Sequence, residues 1–242
     1  MTSPPGVSVP DQDQKGVRRL GLGAGLGFAG AVGAIVLPLA FLFLAADYPG
    51  GFFVLNGQLI QVSSVLVLAG AILLLLSLFF YRRSFAALRK VDPRFYVASV
   101  LCILGAVGFI LLLVTAVIVV GNSASLLACV QGHPSHALSC LESGEPLGAV
   151  TASVGFLLGW VGGLGVMIGV LLAGGRFHAR SLTMSGIAYG ILLIILMVPF
   201  AGLLVTIPNL SYLIIFAPVL AVIGPGLALQ GSLRTTRRLA PG

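Results

Sequence analysis

Cys129, His133, His136 and Cys140 have the side chains and the spacing to do chemistry, in a symmetric Cys-x3-His-x2-His-x3-Cys stretch. Two thiolates and two imidazoles are the ligand set of a tetrahedral structural zinc site, or of a copper site with softer demands. The separation between the ligand pairs is shorter than the roughly 12 residues of the familiar finger pattern. A four-ligand site would therefore need a tight turn at Pro134. A disulfide between Cys129 and Cys140 uses the same cysteines without metal. Closing a loop of about 12 residues stabilises it by ~3 kcal/mol in the chain-entropy treatment. The expectation is the Cys129–Cys140 bridge, with no metal and no cofactor; the four-residue metal set is the alternative. Glu142 and Glu145 nearby could add oxygen ligands or only solvate the loop. Cys102 lies in an apolar run and reads as a small buried hydrophobe.

Other chemistry is hard to assemble. Ser185 before Gly186 matches a protease serine only superficially, because no apolar run contains a histidine or carboxylate to serve as its base. Proton- or sodium-coupled transport uses buried Asp, Glu or His, which these runs also lack. The remaining polar groups are hydroxyls and an amide: Gln61, Ser63, Ser64, Thr115, Thr151 and Ser153. They could line a path for a neutral solute. No glycine loop followed by Lys and Ser/Thr offers a phosphate cradle. No catalytic residue is assigned, and the expectation is that the chain is not an enzyme.

The elements that would position these residues follow from composition. The chain has 242 residues, of which 58% are hydrophobic and 8% charged, against roughly 25% charged in soluble domains. That excludes an ordinary soluble enzyme. The hydrophobic share is about 140 residues, enough for roughly six spans of about 20 residues each. Long uncharged apolar runs fall at 20–45, 59–81, 95–120, 150–174, 184–206 and 210–229. All 13 basic residues lie before the first run, after the second, after the fourth or after the sixth. By the positive-inside rule both termini and those connections are cytoplasmic. The expected fold class is all-α, an integral bundle of six transmembrane helices with both termini cytoplasmic, in the cell membrane as a multi-pass protein. Residues 1–19 are expected as a disordered cytoplasmic tail, 20–230 as the six-span domain and 231–242 as a basic cytoplasmic tail. The first apolar run is about 25 residues, longer than the 7–15 of a signal-peptide core, and is expected to stay in the mature protein.

Helices in lipid associate through close backbone approach, which small residues permit. The chain has 33 glycines. Gly155, Gly159 and Gly163 share one four-residue register and are the expected packing stripe of the fourth span; Gly21 with Gly25 and Gly186 with Gly190 repeat the spacing. Gly224, Pro225 and Gly226 are the expected break in the sixth span. Asp92 before Pro93 places a capping carboxylate ahead of a residue preset for a first helical turn. Spans one and four are both glycine-rich, as two inverted halves would require, but no residue-by-residue match carries such a repeat.

Arg82, Arg83, Arg89, Lys90 and Arg94 alternate with Phe85, Leu88 and Val91. Apolar residues at every third position between basic ones suit a short interfacial helix against anionic headgroups. Expected partners are the bilayer, those cytoplasmic headgroups, and a membrane protein partner or a second copy; nucleic acid is not among them. Tyr48, Phe52 and Phe53 fit an aromatic belt. Trp160, deep in the fourth run, is expected to be packed.

The run 84–95, Ser-Phe-Ala-Ala-Leu-Arg-Lys-Val-Asp-Pro-Arg-Phe, leading into an apolar span that contains glycine, resembles an archaeal family of polytopic membrane proteins catalogued as a domain of unknown function. The resemblance covers the segment from span two to span three and implies a multi-span envelope protein, with no catalytic residues to carry over. The function expected is a structural or partner-binding membrane component; the alternative is a transporter or channel for a small neutral or weakly polar solute.

Overall fold

The computed structural model describes residues 9–37, 56–121, 146–200 and 216–239, all but the helix ends and two tight turns as helix. The helices are α1 (Val9–Ala31), α2 (Asn56–Leu88), α3 (Phe95–Gly121), α4 (Pro146–Arg176), α5 (Arg180–Phe200) and α6 (Ala217–Leu239). Each packs against its neighbours in sequence, and α1 packs against α6, so the six close into a ring that α2 and α4 touch across. Five helical stretches are long and apolar enough to cross a membrane: Asp11–Val36, Val65–Leu88, Phe95–Thr115, Ser153–Arg176 and Arg180–Met197. Helix α6 is not among them, since Gln230, Ser232 and three arginines occupy its last turns. The outward faces are apolar, with Val65 66% and Ile194 67% exposed. Apolar area on that scale is a liability in water and an asset in lipid. The chain is a membrane-embedded, multi-pass helical protein.

Local chemistry explains the ends. Asp92 Oδ1 accepts the Arg94 N–H at 3.0 Å, and Tyr96 N–H bonds back to the Pro93 carbonyl, so the Asp-Pro pair opens α3 as expected. Helix α4 ends in a Schellman turn: Ala179 N–H reaches the Gly174 carbonyl at 3.0 Å and His178 N–H the Gly175 carbonyl at 3.4 Å. The left-handed position that glycine usually fills is held by His178, at φ +49°. For a residue with a Cβ that conformation costs ~1–2 kcal/mol. Beyond α1 the helix loosens into a π turn, Val32–Val36, where Ala34 is pressed onto Gly70 of α2. The wider turn lies at the point where the two backbones crowd each other.

Three expectations need correction. The N-terminal segment is helical from Val9, so residues 9–19, expected as a disordered tail, extend the first helix; Val17 and Leu20 are buried against the bundle and hold it there. The segment that follows span two is not an interfacial helix presenting apolar residues to lipid. Residues 81–88 are the last two turns of α2 and 89–94 the turn into α3, and Phe85 and Leu88 point into the core, both fully buried. The Gly224-Pro225-Gly226 break is absent: α6 runs through Pro225, and a Cβ added at Gly224 would stand 3.5 Å from the Tyr189 ring. The glycines of α4 serve two interfaces. Gly155 and Gly159 both lie against Gly108 of α3 and Gly162 meets Gly105 of α3 backbone to backbone, while Gly163 faces Leu193 of α5. A Cβ added at Gly159 would nevertheless find only Phe109 Cδ2 within reach, at 4.0 Å.

Candidate functional site

The ring has an interior, and aromatic side chains fill its described part. Tyr81 and Phe85 on α2 stack at 5.9 Å, and Phe85 stacks on Phe95 of α3 at 6.1 Å, both at 22°. From the far side Gly169 of α4 is pressed onto the Phe85 ring, so no larger residue fits there. Tyr189 of α5 closes the remaining side, its hydroxyl 3.2 Å from that of Tyr81. Cys102 lies in the same core as a free, fully buried thiol.

Polar groups inside this apolar frame are used to join helices. Ser77 Oγ donates to the Gly23 carbonyl at 2.7 Å, Ser84 Oγ to the Gly16 carbonyl at 2.7 Å and Ser185 Oγ to the Gly224 carbonyl at 2.6 Å. In each case a small hydroxyl meets a glycine carbonyl on the adjoining helix, a contact that glycine's bare backbone allows. Thr115 and Thr151 share a hydrogen bond at 2.9 Å across α3 and α4, and Thr115 also donates back to the Leu111 carbonyl. These two expected pathway hydroxyls are thus brought together as a bridge. Gln61, Ser63 and Ser64 have side chains outside the described residues. Trp160 is half-buried, and its Nε1–H donates to the Leu193 carbonyl at 2.9 Å, packed as expected.

At one end of the bundle the basic residues gather. Gly16 of α1 lies against Leu88 at the end of α2, and Gly231 of α6 against Ser181 at the start of α5. Asp13 of α1 meets Arg176 at the end of α4 at 2.9 Å, the one ion pair among the described residues. Asp13 Oδ1, Arg176 Nε and the neighbouring Gln12 Oε1 are buried without a partner. Arg82, Arg83, Arg89, Lys90 and Arg94 are exposed here. Arg83 lies over the Phe79 ring at 4.4 Å and Arg89 over Tyr96 at 4.5 Å, cation–π contacts that fix both guanidiniums against their helices. A cavity of about 270 Å³ opens between the α4–α5 turn and α6, with Arg180, Arg234, Arg238 and His178 on its wall.

Cys129, His133, His136 and Cys140 lie outside the described residues, so the expected bridge and its metal alternative have no structural counterpart on which to be judged. Among the described residues no three His, Cys, Asp or Glu side chains converge as metal ligands. Reasoning from sequence missed the Asp13–Arg176 pair and the arginine-lined cavity. One signal for the cavity was available, Arg234 and Arg238 four residues apart on one helix face. Comparison with known proteins adds no relative: no family model, no curated protein and no solved structure matches the chain.

Proposed function

We propose that this protein is a non-catalytic membrane component that works by binding, as a structural or partner-binding member of a membrane assembly, with the cell membrane as its site and both termini cytoplasmic. The observation that carries this is the filled interior: Tyr81, Phe85, Phe95 and Tyr189 occupy the centre of the helix ring, and Gly169 lies directly on Phe85. A conduit at this level would have to displace stacked rings from a core packed at interior density. The Thr115–Thr151 bond supports the same view, since those hydroxyls satisfy each other. Among the described residues, what remains available for function is surface, the broad apolar flanks and the basic end.

The test is reconstitution. Vesicles holding the full chain should pass glycerol and urea no faster than protein-free vesicles. A photo-crosslinking residue on the exposed flank at Ile110 or Ile194 should capture one recurrent membrane protein or a second copy. Saturable solute flux that Thr115→Val or Thr151→Val abolishes would establish the transporter alternative instead. Capture of lipid alone at both flanks would also overturn the binding role.

A further inference from the structure

The cavity at the basic end has the composition of an anion site. Its wall carries three guanidiniums, Arg180, Arg234 and Arg238, with His178, Ser181 and Thr235 between them and no carboxylate. The chain has six acidic residues in all. The one acid in an ion pair among the described residues is Asp13, which is engaged by Arg176 instead. Three exposed cations around one concavity repel each other, and an anion of matching size relieves that.

Three features of the fold build the concavity. Gly231 is the first. A Cβ there would stand 2.7 Å from Ser181 Oγ and 2.8 Å from Leu182 Cγ, so its absence lets α6 close onto the start of α5. Second, Arg234 and Arg238 are four residues apart and project from one face of α6 toward that junction. Third, α5 begins at Arg180, and the first N–H groups of a helix lack intrahelical acceptors and carry the positive end of its dipole. A helix start facing three arginines is suited to phosphate oxygens, which guanidinium forks bind in pairs. His178 stands beside it in the left-handed position of the Schellman turn, where glycine would cost less. The imidazole is thus held at the cavity in spite of the backbone's preference.

The geometry points to a binding site for a single phosphate ester at this junction, taken from a lipid headgroup in the adjoining leaflet or from a small soluble phosphate. Size favours one phosphate group over a nucleotide: about 270 Å³ falls below the roughly 300–1,000 Å³ of pockets for drug-sized ligands. The inference goes beyond the proposed binding role and does not rest on it, since the site holds its anion whether or not the interior conducts and whether or not a protein partner exists.

The experiment uses the full chain in nanodiscs of phosphatidylcholine with a graded fraction of phosphatidic acid, with retained lipid counted by native mass spectrometry. Glycerol phosphate and inorganic phosphate are titrated into detergent-solubilised protein in parallel. Retention of phosphatidic acid should weaken at least tenfold in Arg180→Gln/Arg234→Gln/Arg238→Gln. It should change less than twofold in Arg82→Gln/Arg83→Gln/Arg89→Gln, which removes equal charge from the same end. His178→Gly keeps the turn and guards against misfolding of the triple variant; it and Arg238→Gln should each weaken retention about threefold without lowering the melting temperature. Preference for the lipid assigns the site to a headgroup, and saturable binding of glycerol phosphate without lipid preference assigns it to a soluble ester; both support the site. Equal losses in the two triple variants would mean diffuse surface attraction and overturn it. So would unchanged retention in both His178→Gly and Arg238→Gln, or no phosphate binding by the unaltered chain.

Discussion

Replacing Gly162 with alanine challenges the bundle at its tightest crossing. The new methyl would lie inside contact with the Gly105 Cα of α3 and 3.1 Å from its backbone nitrogen. Both obstacles are backbone, so no flexible side chain can swing away. Restoring an ordinary carbon–carbon separation of about 3.5–4.0 Å moves α3 and α4 apart by roughly 1 Å, which already forfeits a quarter to a half of each affected dispersion contact. Overpacking of this kind costs about 1–3 kcal/mol, offset by about 1 kcal/mol from alanine's better helix propensity. Gly159→Ala is the internal control. Its methyl meets only Phe109 Cδ2, at 4.0 Å, and it gains the same propensity term without the clash. The two variants should therefore differ by about 1–3 kcal/mol, with Gly162→Ala the weaker and Gly159→Ala at least as stable as the parent. Denaturant titration in mixed micelles, followed by fluorescence of the single tryptophan Trp160 on the same helix, measures both. If Gly159→Ala proved as damaging as Gly162→Ala, the open space beside Gly159 and the crossing described here would be wrong.

Three further outcomes are expected. Ser84→Ala removes a buried donor to the Gly16 carbonyl and should cost about 0.5–1.5 kcal/mol in the same titration; an unchanged midpoint would mean the bond contributes nothing. Asp13→Asn and Arg176→Gln each break a pair whose side chains are 12% and 26% exposed. Full burial would make the loss about 3–5 kcal/mol, and partial screening lowers it to roughly 1–2 kcal/mol. The double variant should cost less than the sum, and strict additivity would show that the pair is not coupled. Cysteines introduced at Arg83 and Arg237 should react with an impermeant maleimide from one side of sealed vesicles only, and Cys129, after reduction, from the other. Labelling of all three from one side would end the proposed topology.

Apolar run length and the placement of charge are properties of consecutive residues, and they were legible without a fold. The apolar runs match the helices wherever both are described, and the basic residues, separated by more than 200 positions from Lys15 to Arg238, gather where the charge pattern put them. The Asp92-Pro93 helix start was equally local. Rotation of α2 to α5 about their axes was not legible, because every face of these four helices is apolar and no strong amphipathic signal tells inside from outside. Only neighbouring helices decide that Phe85 and Leu88 face inward between exposed arginines, and that a side chain would run into α3 at Gly162 but not at Gly159. The Asp13–Arg176 pair joins residues 163 positions apart, a partnership set by ring closure. The arginine cavity likewise exists only because Gly231 lets α6 approach α5. Sequence determined where the long apolar helices fall and that the basic residues share one end; tertiary structure decided which side chains meet, since that depends on helix rotation and neighbours that linear pattern does not encode.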